Sequence, residues 1–446
     1  MDAQPAPRMP PGPRLPRLVQ TLMFVLCAER YLRWVNRRYG GAVTLRTMFD
    51  DRFVYVFDPA LVRQLFQGPH ERLNAGEANE ILSPVLGAHS VLLLDGAAHL
   101  RHRRLLLPPF HGRALKDYEA AILAATDAEI DGWPAGQPFA LHPSMQALTL
   151  RVILQVVFGY APAEAGELQA RLLAFIEPLA ERLTLRTLLT ALRSRLGVSQ
   201  KRLRTFGERK RAVDELLFAE IERRRALTDE ELRARGDVFS MLLLARDESG
   251  EALNDQEIRD ELLTLLLAGH ETTANGLAWA FDLLLHNPST LARARFGSDT
   301  YLDATAKEAL RLRPVIPLVG RVVRGAPFRL GEWVIPEGIE INPSIRLIHQ
   351  RGDLYPDPSA FRPERFLGAD APDTYTWIPF GGGTRRCLGA AFAQLEMRVV
   401  LRRVLERASL RPASPRLEQT ELRLITLSPR NGTQVVMYRA PEPLSD

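Results

Sequence analysis

The sequence PFGGGTRRCLGAAFA, from Pro379 to Ala393, holds one of only two cysteines in a chain of 446 residues. Arg385 and Arg386 precede Cys387, and the run LGAAFAQLEMRVVLRRVL after it predicts a helix whose positive end lies near the sulfur. Neighbouring cations and a helix N-terminus both favour the thiolate form of cysteine. Three consecutive glycines before the cysteine and one after it leave room for something large and planar to approach the backbone.

Several kinds of chemistry use a lone cysteine, and the sequence supports some of them better than others. A nucleophile needs a general base, yet no GxSxG-like elbow or neighbouring histidine accompanies Cys387. Zinc needs about four ligands, and the sequence has no second cysteine or histidine cluster nearby. A disulfide to Cys27 would consume the thiol. An incidental cysteine in a flexible loop stays open, while an axial thiolate ligand of haem requires only this one residue.

Composition predicts an ordinary globular protein. The chain is long for one domain but shows no obvious linker, so we predict a single domain over residues 1–446, mainly α with a minor β part. Residues 1–17 are proline-rich and are predicted to be extended and poorly ordered. No targeting signal is evident and the two cysteines are far apart in sequence, which favours a cytoplasmic protein without disulfides.

One apolar segment and one basic segment indicate whether a membrane or a nucleic acid is a partner. TLMFVLCA, residues 21–28, is too short to span a bilayer and is expected to begin an amphipathic helix, so any membrane contact is at most peripheral. KRLRTFGERKR, residues 201–211, predicts the solvated face of a helix. Nucleic acid is not expected as a partner, since no aromatic residues interleave these charges.

Local patterns predict the main elements. Strands are expected within residues 43–57, and Asp58-Pro59 then starts a helix. Asn254 and Glu257 resemble a capping box at the start of a helix. The run from Asn254 to Pro288 predicts a helix of roughly 30 residues, about 45 Å long, that runs through the protein's centre. A second helix covers residues 298–314, and short strands follow at RVVRG, FRLG, EWVIP and EIN. The C-terminal run predicts a hairpin that turns at Asn431-Gly432.

The cysteine stretch resembles the haem-binding signature of the cytochrome P450 family, FxxGxRxCxG, with every fixed position filled. The resemblance extends from about Pro10 to the C-terminal hairpin. It implies the P450 fold, with haem b (iron protoporphyrin IX) between the long helix and the cysteine loop. Cys387 would be the axial ligand of the haem iron, and the cofactor would lie against Phe380, Gly381, Gly389 and Ala268.

A second motif is Glu308-Ala-Leu-Arg311, whose two charged residues share one helix face. Alone this pattern is weak, because random helix surfaces produce it often. It resembles the ExxR pair of the family, for which Arg365 in PERF is the expected third partner. The resemblance implies a buried structural ion network that braces the protein and supports haem incorporation.

A third motif, AGHETT at residues 268–273, lies in the middle of the long helix. One interpretation is a helix kink with a threonine bonded back to the preceding turn. The motif also resembles the family's oxygen-activating AGxET sequence. That resemblance implies that Thr272 hydrogen-bonds dioxygen and that Glu271 relays protons from solvent. Both are therefore predicted catalytic residues. His270 occupies the variable position and is not expected to be a ligand.

Four cationic residues match family positions that bind the haem propionates. His99 and Arg103 are four apart on one predicted helix face, as in the family's HxxxR pair, and Arg321 and Arg385 match the other two positions. A planar guanidinium suits a carboxylate because it bonds in a bidentate manner. Solvated surface arginines are the alternative interpretation at each position.

The resemblance implies a monooxygenase that inserts one atom of dioxygen into a substrate, typically by hydroxylation. Substrate-pocket residues are expected at Leu265, Val315, Ile316, Val319 and Leu427. Their surroundings are apolar, which favours a lipophilic small molecule: a terpenoid, a steroid or a fatty acid. Desaturation, oxidative coupling and peroxygenase chemistry are alternatives within the family, and a non-catalytic haem sensor or binding module is a remote one.

Electrons are expected from outside the chain. The sequence has no fused flavin or iron–sulfur domain, and the short segment after Pro288 resembles soluble bacterial family members. The resemblance therefore implies a ferredoxin and a ferredoxin reductase as electron donors. Arg101, Arg104, Lys116 and Arg386 could form a basic docking face for an acidic ferredoxin, or they could be merely solvated.

Overall fold

The structure is a computed structural model that describes residues 8–112, 114–160, 166–176, 200–369 and 371–439. The chain divides into two compact units. The first comprises Met1–Arg103, Ile316–Ser359 and Pro372–Cys387, and the second comprises Arg104–Val315, Ala360–Ala371 and Leu388–Asp446. The prediction of a single domain stays a prediction.

The described helices are α1 Arg17–Tyr39, α2 Pro59–Phe66, α3 Ala75–Ala78, α4 Ser83–Leu86, α5 Gly96–Leu106, α6 Ala114–Asp117, α7 Glu119–Asp131, α8 Leu141–Phe158, α9 Gly166–Ile176, α10 Gln200–Arg225, α11 Asp229–Arg235, α12 Val238–Leu244, α13 Asp255–Leu285, α14 Pro288–Phe296, α15 Asp299–Leu312, α16 Ile345–Ile348 and α17 Ala390–Arg407. The described strands are β1 Ala42–Leu45, β2 Phe53–Val56, β3 Leu73–Asn74, β4 Pro138–Ala140, β5 Arg321–Val323, β6 Phe328–Leu330, β7 Trp333–Ile335, β8 Glu340–Pro343, β9 Ala408–Pro412, β10 Thr420–Arg423, β11 Thr426–Pro429 and β12 Gln434–Arg439. The mainly α prediction with a minor β part is confirmed.

The first unit is built on a five-stranded sheet in the order β1-β2-β8-β5-β3. Strands β2 and β8 pair in parallel, and the other neighbours are antiparallel. Val54 and Val56 of β2 pack with Val62 and Leu65 of α2 in one apolar core. Helix α2 begins as predicted, because Asp58 accepts a hydrogen bond from the Ala60 N–H and Pro59 occupies the first turn. This core supports the cysteine loop, since Ile378 belongs to it.

The proline-rich opening differs from expectation. Residues 1–7 lie outside the described residues. From Arg8 onward the chain is extended, but it is tied to the first unit: the Arg8 N–H donates to Val334 O at 3.0 Å, and the Thr44 N–H donates to Pro11 O at 3.0 Å. A Cβ at Gly12 would lie 1.9 Å from Thr44 O, so only glycine allows this approach. Poor order was therefore the wrong prediction for residues 8–16, because the edges of two sheets supply hydrogen-bond partners for this proline-rich segment.

The second unit is organised around α13, which is buried along most of its length. Its start was predicted correctly: Asn254 and Glu257 form a reciprocal capping box. Helix α13 packs closely on α8, and a Cβ at Gly269 would lie 2.8 Å from Ile153 Cδ1. The glycine therefore leaves room for the end of the Ile153 side chain, at a cost of about 1 kcal/mol relative to alanine inside a helix. The helix continues through the AGHETT motif from Asp255 to Leu285.

The predicted C-terminal hairpin turns at a different place. Strands β10 and β11 pair antiparallel and turn at Leu424-Ile425, where Leu424 has a φ of +50°. Asn431-Gly432 instead connects β11 to β12, which pairs with β9 and β4 in a separate three-stranded sheet. The Asn-Gly pair was a good local turn signal, but long-range pairing with β9 determines where β12 lies. Among the described residues, no helix is both long enough and apolar enough to span a membrane.

Candidate active site

The cysteine loop, in the first unit, brings Cys387 to the surface as a thiol that is not joined to Cys27. The Cys387 N–H donates to Phe380 O at 2.9 Å, and the Arg386 N–H donates to Gly383 O at 3.1 Å. Gly381 and Gly383 have φ values of +67° and +65°, a region in which a side chain would strain the backbone. The loop conformation thus depends on its glycines, and it leaves Cys387 exposed.

The glycines do not all serve one purpose. A Cβ at Gly382 would lie 2.2 Å from the Phe66 ring, and one at Gly383 would lie 2.0 Å from Phe66 O. Gly382 and Gly383 therefore allow the loop to pack on α2, a use that the sequence did not indicate. At Gly389 a Cβ would meet nothing within 4 Å, so space is open there.

The four predicted propionate ligands come together in the first unit. We call the three arginines Arg103, Arg321 and Arg385, together with His99, the cationic cluster. Arg385 donates to Val91 O at 3.2 Å, to Leu94 O and to Asp95. Arg103 donates to Arg386 O at 2.7 Å. Arg321 is 6% exposed and donates to Gly320 O at 2.8 Å.

Negative charge within the cationic cluster is scarce. Among the described residues, the only carboxylate that pairs with the cluster is Asp95, which pairs with Arg385. The Asp95 carboxylate also accepts hydrogen bonds from the Ala75, Gly76 and Glu77 N–H groups at 2.9–3.0 Å. Burial lowers the pKa of Arg321 to about 9 and that of Arg385 to about 10. Burial also lowers the pKa of His99 to about 3, and the charges of Arg385, Arg103 and Arg321 act in the same direction. The cluster therefore fits an anionic ligand such as the two propionates of haem.

The cysteine belongs to the same electrostatic environment. Burial lowers the pKa of Arg103, and the negative charge of a Cys387 thiolate opposes that shift. A guanidinium near the sulfur stabilises the thiolate that a haem ligand must be. Cys387 and the cationic cluster together have the chemistry required of a thiolate-ligated haem site.

The AGHETT motif lies in the second unit, on α13. Thr272 Oγ1 donates to Ala268 O at 2.6 Å, the back-bond expected of a helical threonine, yet α13 continues without a break. A hydroxyl that donates once still has oxygen lone pairs to accept hydrogen bonds. His270 is buried, and Thr149 of α8 donates to its backbone carbonyl at 3.0 Å.

Polar side chains that the sequence did not single out hold the Glu271 carboxylate. Gln146 Nε2 donates to Glu271 Oε2 at 2.6 Å, Asn275 Nδ2 donates to Oε1 at 3.1 Å, and Ser428 Oγ lies 3.4 Å from Oε1. Burial raises the pKa of Glu271, while Gln146, Asn275 and the Arg423 charge lower it. The net effect is a pKa above the ordinary value of a glutamate. Asn275 could have been found, since it lies four residues on along the same helix.

The three predicted members of the ion network come together in the second unit. Arg311 Nε donates to Glu308 Oε2 at 2.6 Å and Arg311 Nη2 donates to Oε1 at 2.8 Å, with both side chains fully buried. Arg365 Nε donates to Glu308 Oε1 at 3.3 Å, and the Arg362 N–H adds a bond at 3.0 Å. Each oxygen of this buried carboxylate is therefore satisfied.

The predicted substrate-pocket residues are placed as follows. Leu265 on α13 is partly buried, and Val315 is buried. The Leu427 N–H donates to Val315 O at 2.7 Å, which ties the β10–β11 hairpin to the end of α15. In the first unit Ile316 is partly buried, and Val319 packs against the core of the sheet.

The predicted docking residues differ in whether they form ion pairs and in how exposed they are. Arg104 forms an ion pair with Glu248 in the second unit, which reduces its free charge. Arg386 and Lys116 are exposed, and Arg101 is partly buried. The Arg386 guanidinium pairs with no carboxylate in the described part of the chain.

Comparison with known proteins agrees with this geometry. The family model for cytochrome P450 matches residues 9–436. "Putative cytochrome P450 135B1" of Mycobacterium tuberculosis is 40% identical over 438 residues, covering 96% of this chain and 91% of the relative. "Putative cytochrome P450 138" of the same species is 40% identical over 455 residues, covering 98% and 99%.

Solved structures share the fold. The retinoic acid bound cyanobacterial CYP120A1 has a TM-score of 0.77 at 24% identity, covering 98% of this chain and 100% of that chain. The heme domain of cytochrome P450DA has a TM-score of 0.81 at 22% identity, covering 97% and 98%. The chain therefore belongs to the cytochrome P450 family, whose members bind haem, and it is an oxidoreductase of the monooxygenase class.

Proposed function

We propose that this P450 uses haem b, with Cys387 as axial ligand, to hydroxylate a lipophilic small molecule such as a terpenoid, a steroid or a fatty acid. The observation that carries the proposal is the cationic cluster beside an exposed cysteine. Buried cations without enough counter-charge are costly, and a dianionic ligand offsets that cost. Cys387 would hold the iron, and His99, Arg103, Arg321 and Arg385 would hold the propionates.

The proposed reaction is balanced by external electrons and protons. A substrate C–H bond, dioxygen, two electrons and two protons give an alcohol and one water. Bound haem supplies the iron at which dioxygen is activated. The protein must hold the substrate, exclude bulk water and deliver the two protons to the oxygen atom that leaves as water.

We assign proton delivery to two residues of α13. The Glu271 carboxyl has a pKa that burial raises and that hydrogen bonds lower, which suits a group that both takes and gives a proton. Thr272 would orient the oxygen that receives it, since its hydroxyl can accept a hydrogen bond while donating to Ala268 O. Family membership supports assigning both residues to the same reaction as Cys387.

The substrate class rests on the apolar character of the proposed pocket residues, Leu265, Val315, Ile316, Val319 and Leu427.

A ferredoxin and its reductase are the proposed electron donors, in the cytoplasm. Arg386 is exposed and pairs with no carboxylate among the residues that the structure describes. Such a charge supports an acidic partner, because opposite charges speed association. Glu308, Arg311 and Arg365 are assigned to stability and haem incorporation.

The proposal is tested by reconstituting the haem-loaded enzyme with a ferredoxin, its reductase and NADPH under ¹⁸O-labelled dioxygen. Terpenoids, steroids and fatty acids that shift the Soret band are used as substrates. We expect one ¹⁸O atom in the product, and peroxide in place of product for Thr272→Ala but not for the matched Thr272→Ser. Turnover of none of these classes would overturn the substrate proposal, and unchanged coupling in Thr272→Ala would overturn the role of Thr272.

A further inference from the structure

A cavity of about 450 Å³ lies in the second unit, beside the start of α8. This cavity is an open groove rather than an enclosed space, and its walls are about equally polar and apolar. The polar lining residues include His142, Gln146, Arg423, Arg430 and Asn431. Arg430 and Asn431 are exposed to solvent, so this cavity is in contact with bulk water. Neither the sequence motifs nor the proposed reaction has so far given it a role.

One side chain connects this cavity to the Glu271 carboxyl. Gln146 lines the cavity, and its Nε2 donates to Glu271 Oε2 at 2.6 Å. Asn275 Nδ2 and Ser428 Oγ hold the other carboxyl oxygen at 3.1 and 3.4 Å. The carboxyl is therefore fixed from several sides, with the wall of this cavity one side chain away.

Two buried polar atoms mark the same place. His142 is 2% exposed and Asn275 is fully buried, and His142 Nε2 and Asn275 Oδ1 have no hydrogen-bond partner beyond each other's side chain among the described residues. Buried polar atoms are normally satisfied by protein or by water. Burial lowers the pKa of His142 to about 4, whereas a hydrogen bond with the Asn275 side chain raises it, so the two side chains are neighbours.

We propose that this cavity is the path by which protons from solvent reach Glu271, and that Gln146 and Asn275 are positioning residues that hold the carboxyl at its inner end. The inference rests on the proposed role of Glu271. Water in the cavity returns to Glu271 each proton that Glu271 gives up, so protons balance and no electrons are involved. Gln146 and Asn275 donate hydrogen bonds and are not themselves protonated.

The test measures hydrogen–deuterium exchange of the Glu271 carboxylic acid in the haem-loaded protein by difference infrared spectroscopy. The C=O band is assigned by its loss in Glu271→Gln, at a pH where the wild type shows it. Gln146→Met removes the amide donor and lines the path with an apolar thioether, so exchange should slow by at least ~10-fold. Gln434→Trp, a substitution at an exposed position on the cavity wall, should slow it similarly without disturbing the core.

Gln155→Met is the matched control, because Gln155 is also a glutamine on α8 but lines a different cavity. It should exchange at the wild-type rate. Wild-type exchange rates in both Gln146→Met and Gln434→Trp would overturn the inference, as would equal slowing in Gln155→Met. A Glu271→Gln enzyme that couples dioxygen to product as the wild type does would instead overturn the proposed role of Glu271, which is a separate result.

Discussion

Two groups of buried arginines differ in how their charges are met. In the ion network, Arg311 has both its Nε and Nη2 bonded to one carboxylate, and Arg365 binds the same group. In the cationic cluster, Arg321 is nearly as buried but has only the carbonyl of Gly320 as hydrogen-bond acceptor among the described residues. The protein itself supplies the counter-charge for the ion network, but it supplies too little for the cationic cluster.

This difference indicates what each group is for. In a buried ion pair whose charges are matched, removing one partner is costly because it leaves the other charge buried without a counter-charge. An incomplete cationic cluster destabilises the protein without its ligand and gains from an anion. Removing a charge should therefore have opposite effects on protein stability in the two groups.

The largest effect is expected from Glu308→Gln. It leaves the buried guanidinium of Arg311 without its counter-charge, so the free energy of unfolding should fall by about 3–5 kcal/mol. Urea denaturation followed by circular dichroism measures the change.

Glu364→Gln is the matched control for that substitution. Glu364 is the residue before Arg365, but its pair with Arg293 is solvent-exposed, with side chains 42% and 58% exposed. The expected loss is at most about 1 kcal/mol. Equal losses in the two variants would contradict the distinction between a buried network and a surface pair.

A second prediction concerns Arg321→Met. The substitution removes a buried, poorly paired cation, so the free energy of unfolding of the haem-free protein should be unchanged or higher. Haem affinity should fall about tenfold, because one propionate partner is lost. Transfer of haem to a high-affinity acceptor protein measures the affinity. If Arg321→Met destabilises the haem-free protein as strongly as Glu308→Gln and leaves haem affinity intact, the comparison fails.

A third prediction uses pH. The pKa of His99 is about 3 in the folded protein and 6.5 ordinarily, so between these values only the unfolded chain binds the proton. The contribution of His99 to stability is thus complete above pH 6.5 and is lost as pH falls toward 3. Between pH 7 and pH 5, haem-free His99→Gln should lose about 2 kcal/mol less stability than the wild type. Bound propionates favour the protonated imidazole and should reduce this difference in the haem-loaded protein.

Urea denaturation at both pH values provides the measurement, with His111→Gln as the control because His111 is exposed. The control should follow the wild type. A wild-type pH dependence in His99→Gln would show that the buried imidazole is not part of the cationic cluster's electrostatics.

The smallest effect is expected at the surface. Arg386→Gln should raise the KM for a ferredoxin about twofold at low salt, and the effect should vanish at high salt. Arg104→Gln should change it less, because Arg104 is already paired with Glu248. Steady-state reduction assays at two salt concentrations compare the variants, and a larger effect at Arg104 would rule out this charge-based account.

Local sequence signals predicted much of the fold. The capping box at Asn254 and Glu257 and the Asp58-Pro59 start each depend on residues within a few positions, and both are confirmed. The hairpin turn at Asn431-Gly432 was wrong, because the position of β12 depends on strands that no local pattern identifies.

The site shows the same limit. Family motifs led to Cys387 and to the cationic cluster. The partners of Glu271 were missed because Gln146 and Ser428 lie 125 and 157 residues away in the chain. The use of Gly382 and Gly383 for packing on Phe66 was missed for the same reason. Contacts between distant segments arise from tertiary packing, which one sequence does not display.

The central claim is that Cys387 ligates haem as a thiolate, and the reduced-minus-reduced carbon monoxide difference spectrum tests it most directly. We expect a strongly red-shifted Soret band in the wild type, lost in Cys387→Ser and retained in Cys27→Ser. A wild-type protein that binds no haem, or one that shows the spectrum of a histidine-ligated haem, would contradict the account.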